Sequence, residues 1–163
     1  MKNQSGFTLI DLVASIALLV LLAATALPRF GELRAEVRRG VLESAAISMQ
    51  SAAVQVYAKA LMQDGLAQAD MVTNNGNIIE TRFGYPQANA AHSAHDDISD
   101  LVDISGDQSL AFQAGGGAMR RLGYDTDGDG RVTDDNCFII YNDSDGIGEL
   151  PVIDILDANL ADC

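Results

Sequence analysis

Aspartates occupy alternate positions in one short, glycine-containing stretch of the chain. Asp125, Asp127 and Asp129 are separated by single residues, and Gly130 follows directly. Three carboxylates this close repel one another, and a bound dication relieves that repulsion. Carboxylate and carbonyl oxygens are the ligands that hard cations such as calcium prefer. The stretch therefore predicts a cation site, with calcium as the ion that an all-oxygen donor set favours.

The twelve residues from 125 to 136 resemble an EF-hand calcium loop. In that pattern the main-chain carbonyl of Arg131 is a further ligand. Asn136 stands where the pattern has a bidentate glutamate, so Asp134 or Asp135 is expected to supply the missing oxygen. A strand is predicted to follow, where an EF-hand has a second helix. The alternative is a surface turn rich in Asp and Gly, partly balanced by Arg120 and Arg121.

Two weaker clusters lie elsewhere in the acidic part of the chain. Asp143-Ser144-Asp145-Gly146 is expected to be a turn rather than a second cation site. His92 and His95 are three residues apart beside Asp96, a spacing that can hold a transition metal, but a solvated loop is the simpler interpretation.

Catalytic arrangements are not evident, and no enzymatic activity is expected. No constellation of serine, cysteine and histidine suggests a nucleophile with its base. The glycines at 115–117 are not followed by Lys and Ser or Thr, as a phosphate-binding loop requires.

An apolar stretch runs from Phe7 to Leu27 and carries one charge, Asp11. Twelve of its 21 residues are Leu, Ile, Val or Phe. A helix of this length spans roughly 30 Å, the thickness of the hydrocarbon core of a bilayer. The stretch is therefore predicted to insert into a membrane, and the isolated carboxylate within it needs a functional reason.

Charge is unevenly distributed along the 163 residues, whose net charge is −13. Residues 29–39 hold four arginines against two glutamates, whereas residues 40–163 hold 20 acidic residues against five basic ones. The basic collar suits anionic headgroups or acidic groups on neighbouring subunits. The acidic remainder argues against direct nucleic-acid binding and fits a soluble surface outside the membrane.

A second helical pattern follows the apolar stretch, from Pro28 to about Gln63. Apolar residues recur there every three or four positions, so a kink or local unwinding at Pro28 is expected to separate an apolar half from an amphipathic half. The predicted buried stripe is Phe30, Leu33, Val37, Val41, Ala45, Met49, Ala52, Val56 and Ala60.

Beyond residue 63 the sequence predicts a small antiparallel sheet, so the fold class is α+β with a long N-terminal helical spine packed on a small head. Strands are expected at 137–141 and 152–156, and turns at 64–65, 74–77 and 143–146. The glycines at 115–117 are expected to end the element before them. Residues 88–97 are a surface loop or short helix, and 98–104 a short helix or strand.

The two cysteines, Cys137 and Cys163, most simply form one disulfide in an exported chain. Such a bridge would hold the C-terminal segment to the strand that begins at Cys137. Free buried cysteines are the alternative.

The seven residues Gly6-Phe7-Thr8-Leu9-Ile10-Asp11-Leu12 resemble the prepilin cleavage and methylation motif of type IV pilins and of secretion pseudopilins. The resemblance implies cleavage between Gly6 and Phe7, N-methylation of Phe7, and assembly through Asp11 and Pro28. It also implies four segments: a leader at 1–6, a transmembrane and filament-core helix at 7–28, an amphipathic helix at 29–63, and a globular head at 64–163. This family usually has glutamate where this chain has Asp11.

Within the family, Ala26-Leu27-Pro28-Arg29-Phe30 and the segments 57–60 and 83–88 are most similar to mannose-sensitive haemagglutinin pilins, the major subunits of adhesion pili. That likeness implies a precursor in the inner membrane and a mature subunit in an extracellular pilus. Its partners would be other copies of itself, minor pilins, the inner-membrane assembly machinery and the prepilin peptidase.

Two other functions remain open from the sequence. A pseudopilin of a secretion system also has such a motif, and a calcium loop would suit its head. A membrane-tethered or secreted calcium-binding domain that never polymerises is the second alternative. In the secreted case, Ala24-Thr25-Ala26 would be a signal-peptide cleavage site and the mature chain would start near Leu27.

Overall fold

A computed structural model describes residues 9–91, 94–106, 109–155 and 163, with only the backbone described for residues 26–32. The chain divides into two units, one containing the described residues up to Val37 and the other Arg38–Cys163. The second unit contains all the strands and is called the head unit below.

A single α-helix, α1, runs from Leu9 to Met62. Its backbone is helical through Pro28, which does not support local unwinding there, and the alternative of a kink stays a prediction. From Leu9 to Leu22 its large apolar side chains are 48 to 81% exposed. Within the described part of the chain, no helix has both the length and the apolar character that a membrane crossing requires.

Among the described residues, seven strands form two antiparallel sheets, so the α+β class is confirmed while the expectation of one small sheet is wrong. The first sheet has the order β1-β2-β3, and the second has the order β4-β5-β6-β7. The strands are β1 Asp70–Asn74, β2 Asn77–Arg82, β3 Tyr85–Pro86, β4 Leu110–Ala114, β5 Met119–Tyr124, β6 Phe138–Asn142 and β7 Val152–Asp154.

Helix α1 lies across both sheets of the head unit through one buried stripe, the inner face. Leu42, Ala46 and Met49 pack with residues of the second sheet, including Leu122 and Ile139. Val56 and Ala60, near the end of α1, pack with Val72 and Ile79 of the first sheet. The inner face consists of Leu42, Ala46, Met49, Ala53, Val56 and Ala60, each no more than 4% exposed. A buried Leu or Met side chain contributes about 1.5–3 kcal/mol, so this stripe holds the helix to the sheets.

The predicted stripe is correct at three positions, lies at the margin of the inner face at three, and is wrong at two. Met49, Val56 and Ala60 are buried, but Leu33 and Val37 are 55% and 64% exposed. Val41, Ala45 and Ala52 are half-buried at the margin of the inner face. The side chain of Phe30 lies outside the described residues.

Local signals in the head are reproduced closely. The strand predicted at 137–141 is β6, shifted by one residue, and the one predicted from 152 is β7, with residue 156 outside the described residues. Asn75 and Gly76 turn β1 into β2 with φ of 52° and 93°, and the glycines at 115–117 separate β4 from β5. Residues 98–101 form a 3-10 helix. At its start the Asp97 carboxylate accepts from the Ser99 N–H at 2.8 Å, and the Asp97 N–H donates to the Asp100 carboxylate at 3.0 Å.

The described residues of the segment 88–97, which exclude 92 and 93, pack more closely than the surface loop that the composition of the segment predicts. Ala88 and Asp97 are buried, and Asp96 bridges to Ile79 of β2 through its main chain. The segment thus extends the first sheet beyond its named strands.

The outer edge of β1 is covered by one side chain from the residue after α1. The amide of Gln63 donates to the Thr73 carbonyl at 3.1 Å and accepts from the Thr73 N–H at 3.0 Å. This amide therefore takes the place of a neighbouring strand at Thr73.

Candidate metal centre

The aspartate-rich stretch is the connection between β5 and β6, two neighbouring strands of the second sheet. Its base is closed by a hydrogen bond from the Tyr124 N–H to the Cys137 carbonyl, at 2.9 Å. Val132 is fully buried, and its N–H donates to the Gln113 side chain at 3.0 Å. The loop is therefore anchored at its base and again at Val132.

The carboxylates of the loop fold its backbone locally. Asp125 Oδ1 accepts from the N–H groups of Gly128 and Asp129 at 2.8 and 3.2 Å, and its Oδ2 accepts from Gly130 at 3.0 Å. Gly128 and Gly130 have φ of +79° and +83°, which side chains rarely tolerate. Asp127 accepts from Asp129 in the same way, at 3.1 Å. The spacing of Asp and Gly thus determines the turns of the loop.

All five predicted carboxylate ligands come together in two overlapping triads. Asp125, Asp127 and Asp135 form one, and Asp127, Asp129 and Asp134 form the other, with the ligand oxygens of each triad within 4.8 Å of one another. An all-oxygen set of this kind fits a hard cation such as calcium better than a transition metal. The predicted role of the Arg131 carbonyl stays a prediction.

Asp135 is held in its charged form by the loop itself. The hydroxyl and the main-chain N–H of Thr126 both donate to its carboxylate, the latter at 3.0 Å. These bonds, assisted by the positive charge of Arg38, keep the pKa of Asp135 below its usual range. Asp135 is therefore an anion at neutral pH.

Arg38, which sequence reasoning missed, is the cation beside this loop. Its guanidinium lies 4.8 Å from the centre of the Tyr124 ring, and Nη1 donates to the Cys163 main-chain oxygen at 3.5 Å. The 86 residues from 39 to 124 separate Arg38 from the loop, so no local pattern could have indicated this contact.

Arg120, expected to offset part of the negative charge of the aspartate loop, makes its contacts with residues outside the loop. Its guanidinium contacts the side chains of Asn89, Ser99 and Asp97 at 2.9, 2.5 and 3.4 Å. It therefore joins the second sheet to the segment 88–101, and its assignment as a counter-ion for the aspartates is wrong.

The disulfide joins Cys137, the last residue of the loop, to Cys163. Their Cα atoms are 4.7 Å apart, and the two residues are 1% and 8% exposed. The alternative of free cysteines does not hold. The bridge fixes residue 163 beside the base of the aspartate loop.

The turn predicted at 143–146 contains a buried carboxylate rather than a surface one. Asp143 is 7% exposed, and its Oδ1 accepts from the Ala88 N–H at 2.6 Å. Nearby, the buried hydroxyl of Tyr141 donates to the Pro86 carbonyl at 2.7 Å. Both bonds link the end of β6 to the chain at and after β3, so they tie the two sheets together.

Burial raises the pKa of the Asp143 carboxyl above its ordinary value. The Ala88 N–H and Arg82, whose Nη1 is 3.8 Å from Asp143 Oδ2, act in the opposite direction but do not outweigh burial. The charged form is thus disfavoured in the folded protein. The protonated Asp143 carboxyl therefore contributes to stability. This contribution is fully present below the unfolded pKa of about 4 and is lost as the pH rises through the raised pKa of the folded protein.

Asp143→Asn is therefore expected to gain in stability relative to the wild type as the pH rises above about 4, because asparagine keeps the acceptor for Ala88 without the buried charge. Asp143→Ala leaves the Ala88 N–H without its acceptor and should cost about 1–3 kcal/mol. Urea denaturation of both variants from pH 3 to pH 8 measures the two effects. An Asn variant that loses stability relative to the wild type with rising pH would contradict this assignment.

His95 is partly buried, and its Nδ1 lies 2.8 Å from the Glu80 carboxylate. Asp96 accepts a hydrogen bond from Asn77 at 2.7 Å. His92 lies outside the described residues. Among the described residues, the clusters with metal-ligand spacing are the two aspartate triads.

The residues assigned to processing and assembly are described only in part. Gly6 and Phe7 lie outside the described residues, and so does the side chain of Pro28. Asp11 is exposed on α1, and the apolar residues that follow it in sequence, Leu12 and Val13, are exposed as well. Comparisons of the chain with protein-family models, with curated proteins and with solved structures gave no match.

Proposed function

We propose that this chain is a structural subunit of a type IV pilus, similar to mannose-sensitive haemagglutinin pilins and used for surface attachment. The observation that carries the proposal is the apolar surface of α1 from Leu9 to Leu22, where ten large apolar side chains are at least 48% exposed. A continuous apolar surface of this size requires a covering partner. In the proposal, lipid covers it before assembly, and copies of the chain cover it in the filament.

The arrangement of the head unit is consistent with this role. Its part of α1 is held to two sheets through the inner face, and the disulfide holds residue 163 to β6. A head fixed to its own helix can be carried by that helix into a polymer. The arrangement in which the long N-terminal helix is a spine that carries a globular head is also part of this proposal.

Processing and location follow from the same proposal. A prepilin peptidase cuts between Gly6 and Phe7 and methylates the Phe7 amine while the precursor lies in the inner membrane. The assembly machinery then moves the subunit into an extracellular pilus, together with minor pilins. The sequence motif at residues 6–12 supports this order of events.

Mass spectrometry of the mature N-terminus tests the proposal. A chain that begins with N-methylated Phe7, recovered from filaments sheared from the cell surface, is the expected result. A chain that begins near Leu27 would overturn it in favour of a secreted domain. Correct processing without surface filaments would favour a secretion pseudopilin.

We also propose calcium as the ion of the aspartate loop. Five carboxylates in two triads, on a connection anchored by Val132 and Cys137, support a hard cation. The loop lacks the bidentate glutamate of an EF-hand, so the missing oxygen is assigned to Asp134 or Asp135.

Calcium at one hundred times its dissociation constant is expected to stabilise the head by about 2.7 kcal/mol, because it binds the folded loop only. Thermal denaturation in millimolar calcium, in magnesium and in chelator measures this. Asp127→Asn should abolish the shift, since Asp127 belongs to both triads. Asp103→Asn, an exposed acid outside the loop, is the matched control. A midpoint that is indifferent to calcium and chelator would remove the metal from the proposal.

A further inference from the structure

The first sheet has a pocket on the face that points away from α1. Val72 and Ile79 of this sheet pack with α1. Successive side chains of a strand point to opposite faces, so Met71 and Glu80, which are paired across β1 and β2, lie on the other face. The chain after β3 reaches over that face, because the Ala91 N–H donates to the Glu80 carboxylate at 2.6 Å. The pocket lies between Ala91 and the two strands.

This outer pocket has a volume of about 370 Å³ and a largely apolar lining. Pockets of about 300–1,000 Å³ that combine apolar walls with a few polar groups are typical binding sites for small molecules. The side chain of Met71 is flexible and polarisable, so it can adapt to the shape of a ligand. The residues that line the pocket are Ala69, Asp70, Met71, Glu80, Gln87 and Ala91.

The charged groups of the outer pocket are all acidic. Asp70 and Glu80 supply two carboxyl groups, and none of the six lining residues is basic. The amide nitrogen of Gln87 donates to the Thr81 carbonyl at 3.2 Å, and the amide oxygen is a further acceptor. The pocket therefore combines negative charge and hydrogen-bond acceptors with apolar walls.

The Glu80 carboxylate is held in place by the protein itself. Its Oε2 accepts from the Ala91 N–H at 2.6 Å, and its Oε1 lies 2.8 Å from His95 Nδ1. The side chain is only 7% exposed, and His95 is not one of the residues that line the pocket. A recognition group that is fixed in advance loses little conformational freedom when a ligand binds. Glu80 is thus a preorganised polar anchor in an apolar pocket.

We propose that the outer pocket binds a small primary amine, with its ammonium group at Glu80 and Asp70 and its apolar chain against Met71. An ammonium group has three N–H donors and no acceptor, so it complements a pocket that offers acceptors. Hydrogen bonds between ionised groups are about twice as strong as neutral ones. The two carboxyl groups would repel an anion of the same size. This inference depends neither on the pilus proposal nor on the aspartate loop.

Calorimetric titration of the full-length chain in a non-ionic detergent measures the predicted selectivity. The probe is n-butylammonium, and n-butanol and n-butyrate are the neutral and anionic ligands of similar size. We expect n-butylammonium to bind with a dissociation constant of about 1 mM or lower. The other two should bind at least about tenfold more weakly, because they lack the charge that strengthens the hydrogen bonds. No binding of n-butylammonium, or equal binding of all three, would overturn the inference.

A variant that fills the pocket tests the location without changing a charge. Ala69 is exposed, so Ala69→Leu should leave the thermal midpoint within a few degrees while its side chain occupies space beside Met71. The affinity for n-butylammonium should fall at least about tenfold, because the apolar chain loses its place. Ala67→Leu, at an exposed position outside the lining, is the matched control and should bind as the wild type does. Wild-type affinity from Ala69→Leu would contradict the assignment.

The role of the anchor is tested by Glu80→Gln, which keeps an acceptor for Ala91 but removes the charge. Its affinity for n-butylammonium should fall at least about tenfold. Because Glu80 is buried, the thermal midpoint is measured alongside, and Asp70→Asn provides a second charge-removing variant that should also weaken binding. Asp103→Asn, an exposed acid outside the outer pocket, is the control. Unchanged affinity in a folded Glu80→Gln variant, or in Asp70→Asn, would overturn the predicted contacts.

Nuclear magnetic resonance spectra of the labelled chain locate the amine directly. The amide signals of Met71 and Ala91 should move most on addition of n-butylammonium, since both residues line the outer pocket. If the largest shifts lie in the aspartate loop, the amine binds the acidic loop rather than the pocket, and the inference fails. The titrations need no filaments, so their outcome is independent of the test of the pilus proposal.

Discussion

Filament yield is expected to fall at least a hundredfold when Asp11 is replaced by alanine, with cleavage and N-methylation largely unchanged. In the proposed filament, cleavage leaves a cationic amine on Phe7 within apolar helix packing, and Asp11 of a neighbouring subunit neutralises it. Removing one partner of a buried ion pair costs about 3–5 kcal/mol, and each 1.4 kcal/mol is tenfold in affinity. The effect on assembly should therefore be among the largest of any single substitution.

Sheared surface filaments quantify the yield, and mass spectrometry of the precursor pool reports processing. Ser15→Ala is the matched control, because Ser15 lies one turn along the same helix and its hydroxyl donates only to the Leu12 carbonyl at 2.8 Å. Asp11→Glu introduces the residue that is usual in type IV pilins and, under the proposed function, should keep filaments. Normal filaments from Asp11→Ala would refute a role for Asp11 in subunit register.

Removing the disulfide should cost the head about 3.5 kcal/mol, because Cys137 and Cys163 are 26 residues apart and the bridge limits the unfolded chain. The double variant Cys137→Ala, Cys163→Ala should consequently melt roughly 10–15 °C below the wild type. The variant also frees residue 163 from its place near Arg38, so the hydrogen bond between them should weaken.

Calorimetry of the double variant and of the reduced wild type should give the same midpoint, since both lack only the bridge. The double variant has no cysteine left and controls for effects of the reductant itself, because its midpoint should not change when reductant is added. An unchanged midpoint on losing the bridge would show that packing alone holds residue 163 to the head.

Local signals in the sequence predicted much of the head correctly. The run from Cys137 to Tyr141 is apolar and β-branched or aromatic, and it forms β6 within one residue. Asn75-Gly76 forms the turn that its φ preferences require. The aspartate loop was identified from spacing, because its turns are determined by carboxylates and glycines within the loop itself.

Contacts between residues far apart in the chain could not be predicted from the sequence. The phase of the inner face depends on which side of α1 meets the sheets, and two stripes of similar period lie on opposite sides of this helix. Arg120 was assigned to the loop because it is near in sequence, but Asn89 and Asp97 lie nearer in space. Asp143 lies in a stretch whose composition is typical of a surface turn. In the structure its side chain is buried and accepts a hydrogen bond from the N–H of Ala88, a residue far away in the sequence.

The Gln63 amide that covers Thr73 also has a consequence for how copies of this chain meet. An open strand edge is a template for uncontrolled addition of further strands, and crowding many identical heads together increases that hazard. With the Thr73 N–H and carbonyl already occupied, an incoming strand must first displace Gln63. In the proposed filament, where many heads lie close together, the side chain that follows α1 would therefore hinder the addition of a strand at Thr73.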